Sequence, residues 1–379
     1  MRLLYVIDSL VPGGAETSLA AMASRLVAGG IELHVAYFHD RPGVQAQIEE
    51  AGATLHLLGA GSGRRDRVGR VRAIIRELHP DLVHTTIFEA DLAGRIAARL
   101  EHVASSTTLS TELYGPTHVR TLPTVKVRAA QLADIATAQL ARRFHATGHD
   151  VGAVMRRRLL LRHGRIDVVQ RGRDATAMGR SSSERRAAAR SALGLADEPL
   201  VLGAARQEPE KGFDVLLTAV AQMRPEFPSL RVIVAGRPGV HTPELERLLK
   251  HLQLEDAVTF VGHRNDLAEL LCAADVFAFP TRREGLPGTL IEALALECPV
   301  VASDIPNVRE VVADHATLVP MDDIAGFERG LSAVLRDPGA YRAKTAAGRR
   351  RFESQFTIER AATEMIAFFE RAADSARKQ

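Results

Sequence analysis

The feature that most constrains the fold is an alternation of short apolar, β-rich runs with longer segments of helical period, repeated along almost the whole chain. Strands that alternate with helices are typical of parallel sheets with helical crossovers. At roughly 150 residues per domain, the 379 residues predict an α/β protein with two Rossmann-like, doubly wound domains. The predicted strands are Leu3–Ile7, Glu32–Tyr37, Thr54–Leu57, Leu82–Thr85, Ala104–Thr108, Arg143–Ala146 and Asp167–Val169 in the first half, and Leu200–Ala204, Arg231–Ala235, Val258–Val261, Val276–Phe279 and Val300–Ala302 in the second.

The boundary between the two predicted domains lies where the composition of the sequence changes. After Arg171, a link that contains glycine and serine and then a surface helix precede the new strand at Leu200. We therefore expect one domain over residues 1–172 and a second that begins at Arg173. Because doubly wound sheets bind ligands beyond the carboxyl ends of their strands, two domains facing across a cleft would carry their functional residues just after strands.

Composition excludes several classes of protein. Hydrophobic residues make up 46% and charged residues 25% of the chain, which rules out a disordered or fibrous protein. A net charge of +3, no tryptophan and four tyrosines argue against a nucleic-acid partner. The first 170 residues hold 21 lysines and arginines against 16 acids, with arginines clustered at 64–72 and 156–165. These clusters indicate either a solvated surface or a patch that meets anionic lipid or an anionic acceptor.

Cysteine usage and hydropathy indicate where the protein resides. Cys272 and Cys298 are the two cysteines, so neither a disulfide framework nor a cysteine metal cluster is expected. No Asp-x-Asp segment follows a strand, so no metal ion is expected either. Asp8 interrupts the amino-terminal apolar run, and no stretch of about 18 uncharged apolar residues occurs. We expect a cytoplasmic protein, with peripheral contact at the inner face of the membrane as an alternative.

Two adjacent glycines, Gly13 and Gly14, follow the first predicted strand and open a helix in the segment GGAE. They allow backbone amides to approach an anion at the helix amino terminus, or they serve a turn that needs positive φ. The sequence contains neither the G-x-G-x-x-G fingerprint at this position nor a P-loop motif. Dehydrogenase and P-loop functions therefore lack support.

A second candidate site follows the first strand of the second half. Arg206 and Lys211 stand five residues apart across a turn that contains proline, and Gly212 leads into the next helix. Two fixed cations at the end of a strand can clamp a diphosphate, which is the work of a metal ion in other sites. The alternative is a pair of solvated surface cations.

Two glutamates mark a third candidate site, after the strand that ends near Pro280. Glu284 lies in the loop, and Glu292 lies eight residues later in a helix that we expect to start at Pro287 or Gly288. Carboxylates beside free helix amides suit sugar hydroxyls and phosphates, whereas the alternative is a solvated loop acid plus a helix acid. The free amides expected at the helix start belong to Gly288, Thr289 and Leu290.

Together these motifs resemble those of the retaining glycosyltransferases of family 4, which have the two-domain GT-B fold. The resemblance covers almost the whole chain, and the motifs occur in the family's order. They are GGAE at 13–16, PDLVH at 80–84, the pair Arg206 and Lys211, the glutamates Glu284 and Glu292, and VVASDIPNVREVV at 300–312.

The resemblance implies a role for each matching residue. Arg206 and Lys211 hold the diphosphate of a nucleotide-sugar donor and form the catalytic set with Glu284, which contacts the sugar, while Glu292 contacts the ribose. No cofactor and no metal are implied. The family's last helix, here 357–379, crosses back onto the first domain and leaves 173–356 as the donor domain. The donor-binding residues expected are Gly13, Gly14, Arg206, Lys211, His263, Glu284, Gly288, Thr289, Leu290 and Glu292.

One position departs from the family pattern. Members often carry a histidine at the end of a first-domain strand, where this sequence has Ser110. The usual active-site imidazole is therefore expected to be missing. A structural role for His84, and strand-end capping by the residues around Ser110, are the alternatives to an acceptor-binding role. The candidate residues on the acceptor side are His84, Ser110, Thr111, Glu112 and Tyr114.

The function expected from these residues is transfer of a sugar, with retention, from a nucleotide sugar to an acceptor hydroxyl. Uridine is the expected base. The acceptor class stays open between a lipid-linked sugar, a glycan and a small molecule. The alternatives are a catalytically weak or inactive nucleotide-sugar-binding protein, which the missing histidine favours, and an epimerase of the same fold, which would need further acid and base groups.

Overall fold

The computed structural model describes residues 1–115 and 124–374, and their contacts divide the chain into two units. Unit 1 comprises residues 1–172 and the segment from Ile358 onward, and unit 2 comprises Arg173–Thr357. Thr357 groups with unit 2 rather than with the last helix, because it pairs with Arg173 in a parallel β-bridge. The last five residues of the segment 357–379 lie outside the described residues.

The described part of unit 1 contains a sheet of seven strands, all paired in parallel, in the order β3-β2-β1-β4-β5-β6-β7. The order reverses between β1 and β4, as in a doubly wound fold. All seven predicted strands are present, with the last shifted by one residue. They are β1 (Arg2–Ser9), β2 (Glu32–His39), β3 (Thr54–Leu57), β4 (Leu82–Thr86), β5 (Ala104–Leu109), β6 (Arg143–Ala146) and β7 (Ile166–Val168).

Side chains of β1 alternate between two cores, which is why this strand reads as continuous apolar sequence. Leu3 and Ile7 pack into one core and Leu4 and Val6 into the other, all fully buried. Helices cover both faces of the sheet. They are α1 (Gly14–Ala28), α2 (Gln45–Glu50), α3 (Arg64–Leu78), α4 (Phe88–Leu100), α5 (Thr124–Ala138), α6 (His149–Arg158) and, at the carboxyl end of the chain, α16 (Ile358–Asp374).

The last helix belongs to unit 1 because it carries an apolar stripe. In α16, Met365, Phe368, Phe369 and Ala372 follow the i, i+3, i+4, i+7 spacing and are buried in the core that also contains Leu19 of α1. A helix that begins 330 positions after the end of α1 therefore completes the core of the first sheet.

Unit 2 has six described strands, all parallel, in the order β10-β9-β8-β11-β12-β13, and the order reverses between β8 and β11. The expected fold class of two Rossmann-like doubly wound domains is confirmed. The edge strand β13 was not predicted, because three residues carry too little pattern. The strands are β8 (Leu200–Ala204), β9 (Arg231–Ala235), β10 (Val258–Gly262), β11 (Val276–Phe279), β12 (Val300–Ser303) and β13 (Thr317–Val319).

Helices also cover both faces of the second sheet, over two cores that share the β8 side chains alternately. None of the helices described in the chain combines the length and the apolar character that crossing a bilayer requires. The helices of unit 2 are α7 (Ala175–Met178), α8 (Ser183–Ala192), α9 (Phe213–Met223), α10 (Thr242–His251), α11 (Leu267–Ala273), α12 (Gly288–Ala295), α13 (Pro306–Val312), α14 (Ile324–Arg336) and α15 (Arg342–Gln355).

Candidate functional site

The loops that follow β8 and β11 meet at the point where the strand order of unit 2 reverses. Lys211 lies in the first loop and Glu284 in the second, and Lys211 Nζ donates a hydrogen bond to Glu284 Oε1 at 2.7 Å. In doubly wound sheets this edge is the usual ligand position. The structure thus brings together two predicted site residues that are 73 positions apart.

Gly212 allows the first loop to approach the second. A short 3₁₀ turn, Pro209–Lys211, ends at Gly212, which has a left-handed conformation with φ of +67°. A Cβ atom at Gly212 would also clash with the carbonyl oxygen of Pro280, at the end of β11. Both the dihedral angle and the space require glycine here.

The Lys211–Glu284 pair is mostly, but not fully, shielded from solvent. The two side chains are 15% and 12% exposed, respectively. Thr281 Oγ1 lies 3.0 Å from Glu284 Oε1, within hydrogen-bond distance of the same carboxylate oxygen. An ion pair that stays partly exposed to solvent can exchange one of its contacts for a contact with a ligand.

Helix α12 supplies the second acid of the site. Pro287 precedes the helix in an extended conformation, and no side chain caps the helix start. The first hydrogen bond of the helix runs from Ile291 N to the carbonyl oxygen of Pro287. The amides of the three residues before Ile291 are therefore those without an intrahelical acceptor. Glu292, one turn into the helix, accepts a hydrogen bond from Arg173 Nε at 2.5 Å.

Arg173 was not among the predicted site residues. Its guanidinium packs so closely on Gly288, the first residue of α12, that a Cβ atom there would clash with Arg173 Nη2. A cation beside the positive end of a helix is unfavourable unless an anion lies nearby. The sequence gives no signal of this contact, because 119 residues separate Arg173 from Glu292.

Arg206 and His263 lie at the same edge of the sheet but are more open. Arg206 follows β8, its side chain is 65% exposed, and its Nη1 lies 3.7 Å from Glu208 Oε1. His263 is exposed directly after β10, which ends at Gly262 with φ of +66°. The structure shows no contact of either side chain with the Lys211–Glu284 pair.

In unit 1, Gly13 precedes α1 and Gly14 begins it. Gly13 has φ of −144°, so the alternative explanation of a turn with positive φ is wrong for this residue. Two side-chain ends lie close to these glycines: a Cβ on Gly13 would lie 2.6 Å from Glu16 Oε2, and one on Gly14 would lie 2.9 Å from Arg171 Nη1. Burial raises the pKa of Glu16.

The structure places His84 in the interior, which differs from the expectation that it faces an acceptor. It is fully buried, and its Nε2 lies 2.8 Å from Thr108 Oγ1, which lies 3.0 Å from His145 Nδ1. The ring of Phe369 in α16 covers it at a centroid distance of 5.0 Å. Burial holds the pKa of His84 well below its ordinary value and lowers that of His145 to about 4, which favours the neutral form of both rings.

Ser110 lines a small cavity at the carboxyl ends of the unit 1 strands, of about 40 Å³, together with Thr86 and His145. Although Ser110 replaces the family's histidine, His145 of the neighbouring strand β6 supplies an imidazole to the same cavity. The sequence motifs did not predict this residue. The β5–β6 register, which pairs Thr108 with His145, is the signal that would have found it.

The other acceptor-side candidates contact protein groups. Tyr114 OH donates to Asp134 Oδ2 at 2.7 Å, and Glu112 Oε2 lies 3.5 Å from Arg158 Nη2. Thr111 is half-buried in the loop after β5. These contacts give Tyr114 and Glu112 a part in holding the loop.

Two doubly wound sheets, with a lysine–carboxylate pair at the reversal point of the second, define a protein of the GT-B class. Solved structures share this fold along nearly the whole chain. Anabaena HepE, in complex with UDP, has a TM-score of 0.85 at 20% identity and covers 98% of this chain and 100% of its own. Sucrose-phosphate synthase from Thermosynechococcus elongatus has a TM-score of 0.82 at 21% identity and covers 99% and 100%.

Family models identify the group within that class. The model of Glycosyltransferase Family 4 matches residues 12–177, and that of Glycosyl transferases group 1 matches residues 185–351. Since the two matches together cover most of the sequence, the chain belongs to the family 4 glycosyltransferases.

Curated relatives match over part of their length. The D-inositol 3-phosphate glycosyltransferase of Stackebrandtia nassauensis is 37% identical over 192 residues, which are 47% of this chain and 43% of the relative. The lipopolysaccharide core biosynthesis mannosyltransferase LpsB of Rhizobium meliloti is 30% identical over 191 residues, which are 48% and 54%. The chain spans about half the length of the curated relatives it matches.

Proposed function

We propose that this protein transfers a sugar from a nucleoside diphosphate sugar to an acceptor hydroxyl, with retention of the anomeric configuration. The observation that carries the proposal is the Lys211–Glu284 pair at the reversal point of the second sheet. Family membership supports it, as do the complexes of Anabaena HepE with UDP and with UDP-glucose. On this ground we take a uridine nucleotide as the donor class.

Each residue of the site has a role in the proposal. Lys211 and Arg206 bind the diphosphate, together with the free amides of α12, Glu284 binds the sugar hydroxyls, and Glu292 binds the ribose. The fixed cations and helix dipole stabilise the charge that develops on the leaving diphosphate, so no metal ion is needed. The backbone at His263 meets the base, while a donor-binding role of Gly13 and Gly14 stays a prediction.

The proposed reaction needs no protein nucleophile. The bond between the anomeric carbon and the diphosphate oxygen breaks, and the acceptor oxygen attacks the same face. The hydroxyl proton passes to a phosphate oxygen of the leaving nucleoside diphosphate. Glu284 orients the sugar, because its carboxylate is already fixed by Lys211 Nζ and Thr281 Oγ1. The acceptor stays open between a lipid-linked sugar, a glycan and a small molecule, with Ser110 and Thr111 as the candidate positions toward it.

A thermal-unfolding screen with nucleotide sugars tests the donor site. We expect a uridine diphosphate sugar to raise the unfolding midpoint of the wild type, since a ligand that binds only the folded state stabilises it. K211A and E284A should lose most of that rise. Lys250 and Glu255 are exposed residues of unit 2, so K250A and E255A are matched controls that should keep it. Equal protection of all five proteins would contradict the site.

An inactive nucleotide-sugar-binding protein is the second candidate, favoured by Ser110 at the position of the family's histidine. It would show the same thermal protection, yet it would release no nucleoside diphosphate. A catalytic protein releases it with either water or an acceptor. Measurement of nucleoside diphosphate release therefore separates the two candidates.

A further inference from the structure

A groove in unit 1 is lined by arginines, and none of the candidate site residues is among its described lining residues. We call it the basic groove. Its volume is about 770 Å³, and no acidic residue is among the residues that line it. The positively ionisable residues that define it are Arg99, His102, Arg142, Arg143, Arg162 and Arg165.

The basic groove lies at the amino-terminal edge of the sheet of unit 1. His102 lies two residues before the start of β5, Arg142 and Arg143 stand at the start of β6, and Arg165 precedes β7. Gly13, Gly14 and Ser110, by contrast, follow the carboxyl ends of strands. Ligands of doubly wound sheets bind at the carboxyl edge, so the groove is a different site from the one proposed for the donor.

The two arginine clusters seen in the sequence differ in their charge balance. In the first, Arg64 Nη2 lies 2.8 Å from Glu89 Oε1, and Arg72 Nε lies 2.6 Å from Glu101 Oε1. The second cluster, 156–165, contributes Arg162 and Arg165 to the groove. The arginines of the first cluster, except Arg65, are therefore paired with carboxylates, whereas the groove contains arginines without such a partner.

Three of the groove arginines have no partner within the described residues. No hydrogen bond or ion pair joins the guanidinium of Arg99, Arg142 or Arg162 to another group in the ranges 1–115 and 124–374. Guanidinium groups that share a concave surface repel one another, and an anion between them removes that repulsion. Their charge is available to a ligand from solution.

The other two arginines of the groove, Arg143 and Arg165, are held in place by contacts with neighbouring side chains. Arg143 forms two hydrogen bonds to Asp167, of 2.8 and 3.1 Å. Arg165 donates to Gln139 Oε1 at 3.2 Å, and its guanidinium lies over the ring of Phe144, 5.4 Å from the centroid. Burial lowers the pKa of Arg165, and the nearby positive charge of Arg162 lowers it further.

From these observations we propose that the basic groove binds a phosphate-bearing ligand through Arg99, Arg142 and Arg162. The planar guanidinium matches two phosphate oxygens at once, and a cavity of this size accommodates a small organic phosphate or a headgroup. A soluble phosphate compound and a phospholipid headgroup present the same chemistry. The inference does not depend on the proposed transfer reaction.

Titration of the full chain with inorganic tripolyphosphate tests the proposal. We expect R142A/R162A to bind it about tenfold or more weakly than the wild type, because two charged hydrogen-bonding groups are lost. The double variant R142K/R162K, which keeps the charge, should recover part of the affinity. Since neither guanidinium forms a hydrogen bond or ion pair with another described residue, both variants should unfold within about 2 °C of the wild type.

Two control proteins make the titration specific. R65A/R157A removes two exposed arginines of the same unit that also lack a partner among the described residues and lie outside the groove, and it should bind within about twofold of the wild type. K211A, which alters the proposed donor site, should keep the part of the binding that R142A/R162A loses. Equal losses in the two double alanine variants, loss in K211A but not in R142A/R162A, or no binding by the wild type would overturn the proposal.

Sedimentation with lipid vesicles then identifies the source of the phosphate. The probes are phosphatidylcholine vesicles with and without phosphatidylglycerol. If the wild type sediments with the anionic vesicles and R142A/R162A does not, the ligand is a lipid headgroup. If neither protein sediments while tripolyphosphate still binds in the groove, it is a soluble phosphate. Equal sedimentation of wild type, R142A/R162A and R65A/R157A, without groove-dependent binding of tripolyphosphate, would contradict the assignment.

Discussion

Arg173 Nε lies 2.5 Å from Glu292 Oε1, and the same guanidinium packs against Gly288 at the first turn of α12. The carboxylate proposed to bind the ribose is thus engaged by an arginine that stands where the diphosphate would lie. A nucleotide that enters this position would present its phosphates to the Arg173 guanidinium and to the free amides at the start of α12. Donor binding would then exchange an internal ion pair for one with the ligand.

Removal of the Arg173 guanidinium should weaken the binding of the diphosphate but not that of the nucleoside. We expect R173A to bind UDP about tenfold more weakly than the wild type, because one charged hydrogen-bond donor is lost. Its affinity for uridine should stay the same or rise, because Glu292 becomes free. Calorimetric titration with both ligands measures the difference, with R173K as the variant that retains charge. Equal losses for UDP and uridine would indicate a structural role instead.

Two glycines with the same backbone conformation should respond differently to alanine. Gly212 and Gly262 have φ of +67° and +66°. A Cβ at Gly262 meets no atom within 4 Å, whereas one at Gly212 clashes with the Pro280 carbonyl oxygen. G262A should therefore lose only the free energy of folding that the left-handed conformation costs a residue with a Cβ atom, on the order of 1 kcal/mol. It should keep donor binding. G212A should unfold at a clearly lower temperature and lose UDP binding, as thermal unfolding with and without UDP would show. Similar behaviour of the two variants would mean that contact with Pro280 does not matter.

Asp91 should make the stability of unit 1 depend on pH. Its carboxyl is buried, Oδ1 has no hydrogen-bond partner among the described atoms, and burial raises its pKa to about 7, from an ordinary value of 3.8. The unfolded chain releases this proton near pH 4 and the folded chain near pH 7. The carboxyl therefore costs increasing stability as pH rises from about 4 to about 7, and a constant amount above that.

The substitution D91N removes that pH-dependent cost. We expect the unfolding midpoint of D91N to exceed that of the wild type by several degrees at pH 8, with the difference shrinking toward pH 4. Arg95, which lies 3.7 Å from Asp91, keeps its closer partner Asp134 at 2.5 Å. The control D40N changes an exposed carboxyl and should give no such trend. A difference that is independent of pH would contradict the raised pKa.

Local pattern predicted the fold of this chain well, since most strands from β1 to β12 are short runs of apolar or β-branched residues between helical segments. The contacts that place distant segments together were not predictable. His84 reads as a polar group at a strand end, but Phe369, 285 residues later, covers it. The two arginine clusters look alike in sequence, and the acids that neutralise the first, Glu89 and Glu101, lie on another helix or just beyond it.

The candidate site was likewise predicted only in part. The sequence places Lys211 and Glu284 at strand ends, and parallel topology brings those ends together. Arg173 follows no strand-end motif, and its contact with Glu292 depends on how the link after β7 folds onto α12. His145 was overlooked because its relation to Ser110 arises from the β5–β6 register and not from spacing within one segment.

The most direct test of the central claim is the release of UDP from UDP-glucose, or from the uridine sugar that protects best, measured in the presence of EDTA. The wild type should release UDP without added metal ion. K211A and E284Q should each be slower by about a hundredfold or more, because a charge-stabilising or sugar-orienting group is lost, while K250A stays within about twofold. Wild-type rates in K211A and E284Q, or a wild-type reaction that requires magnesium, would contradict the account.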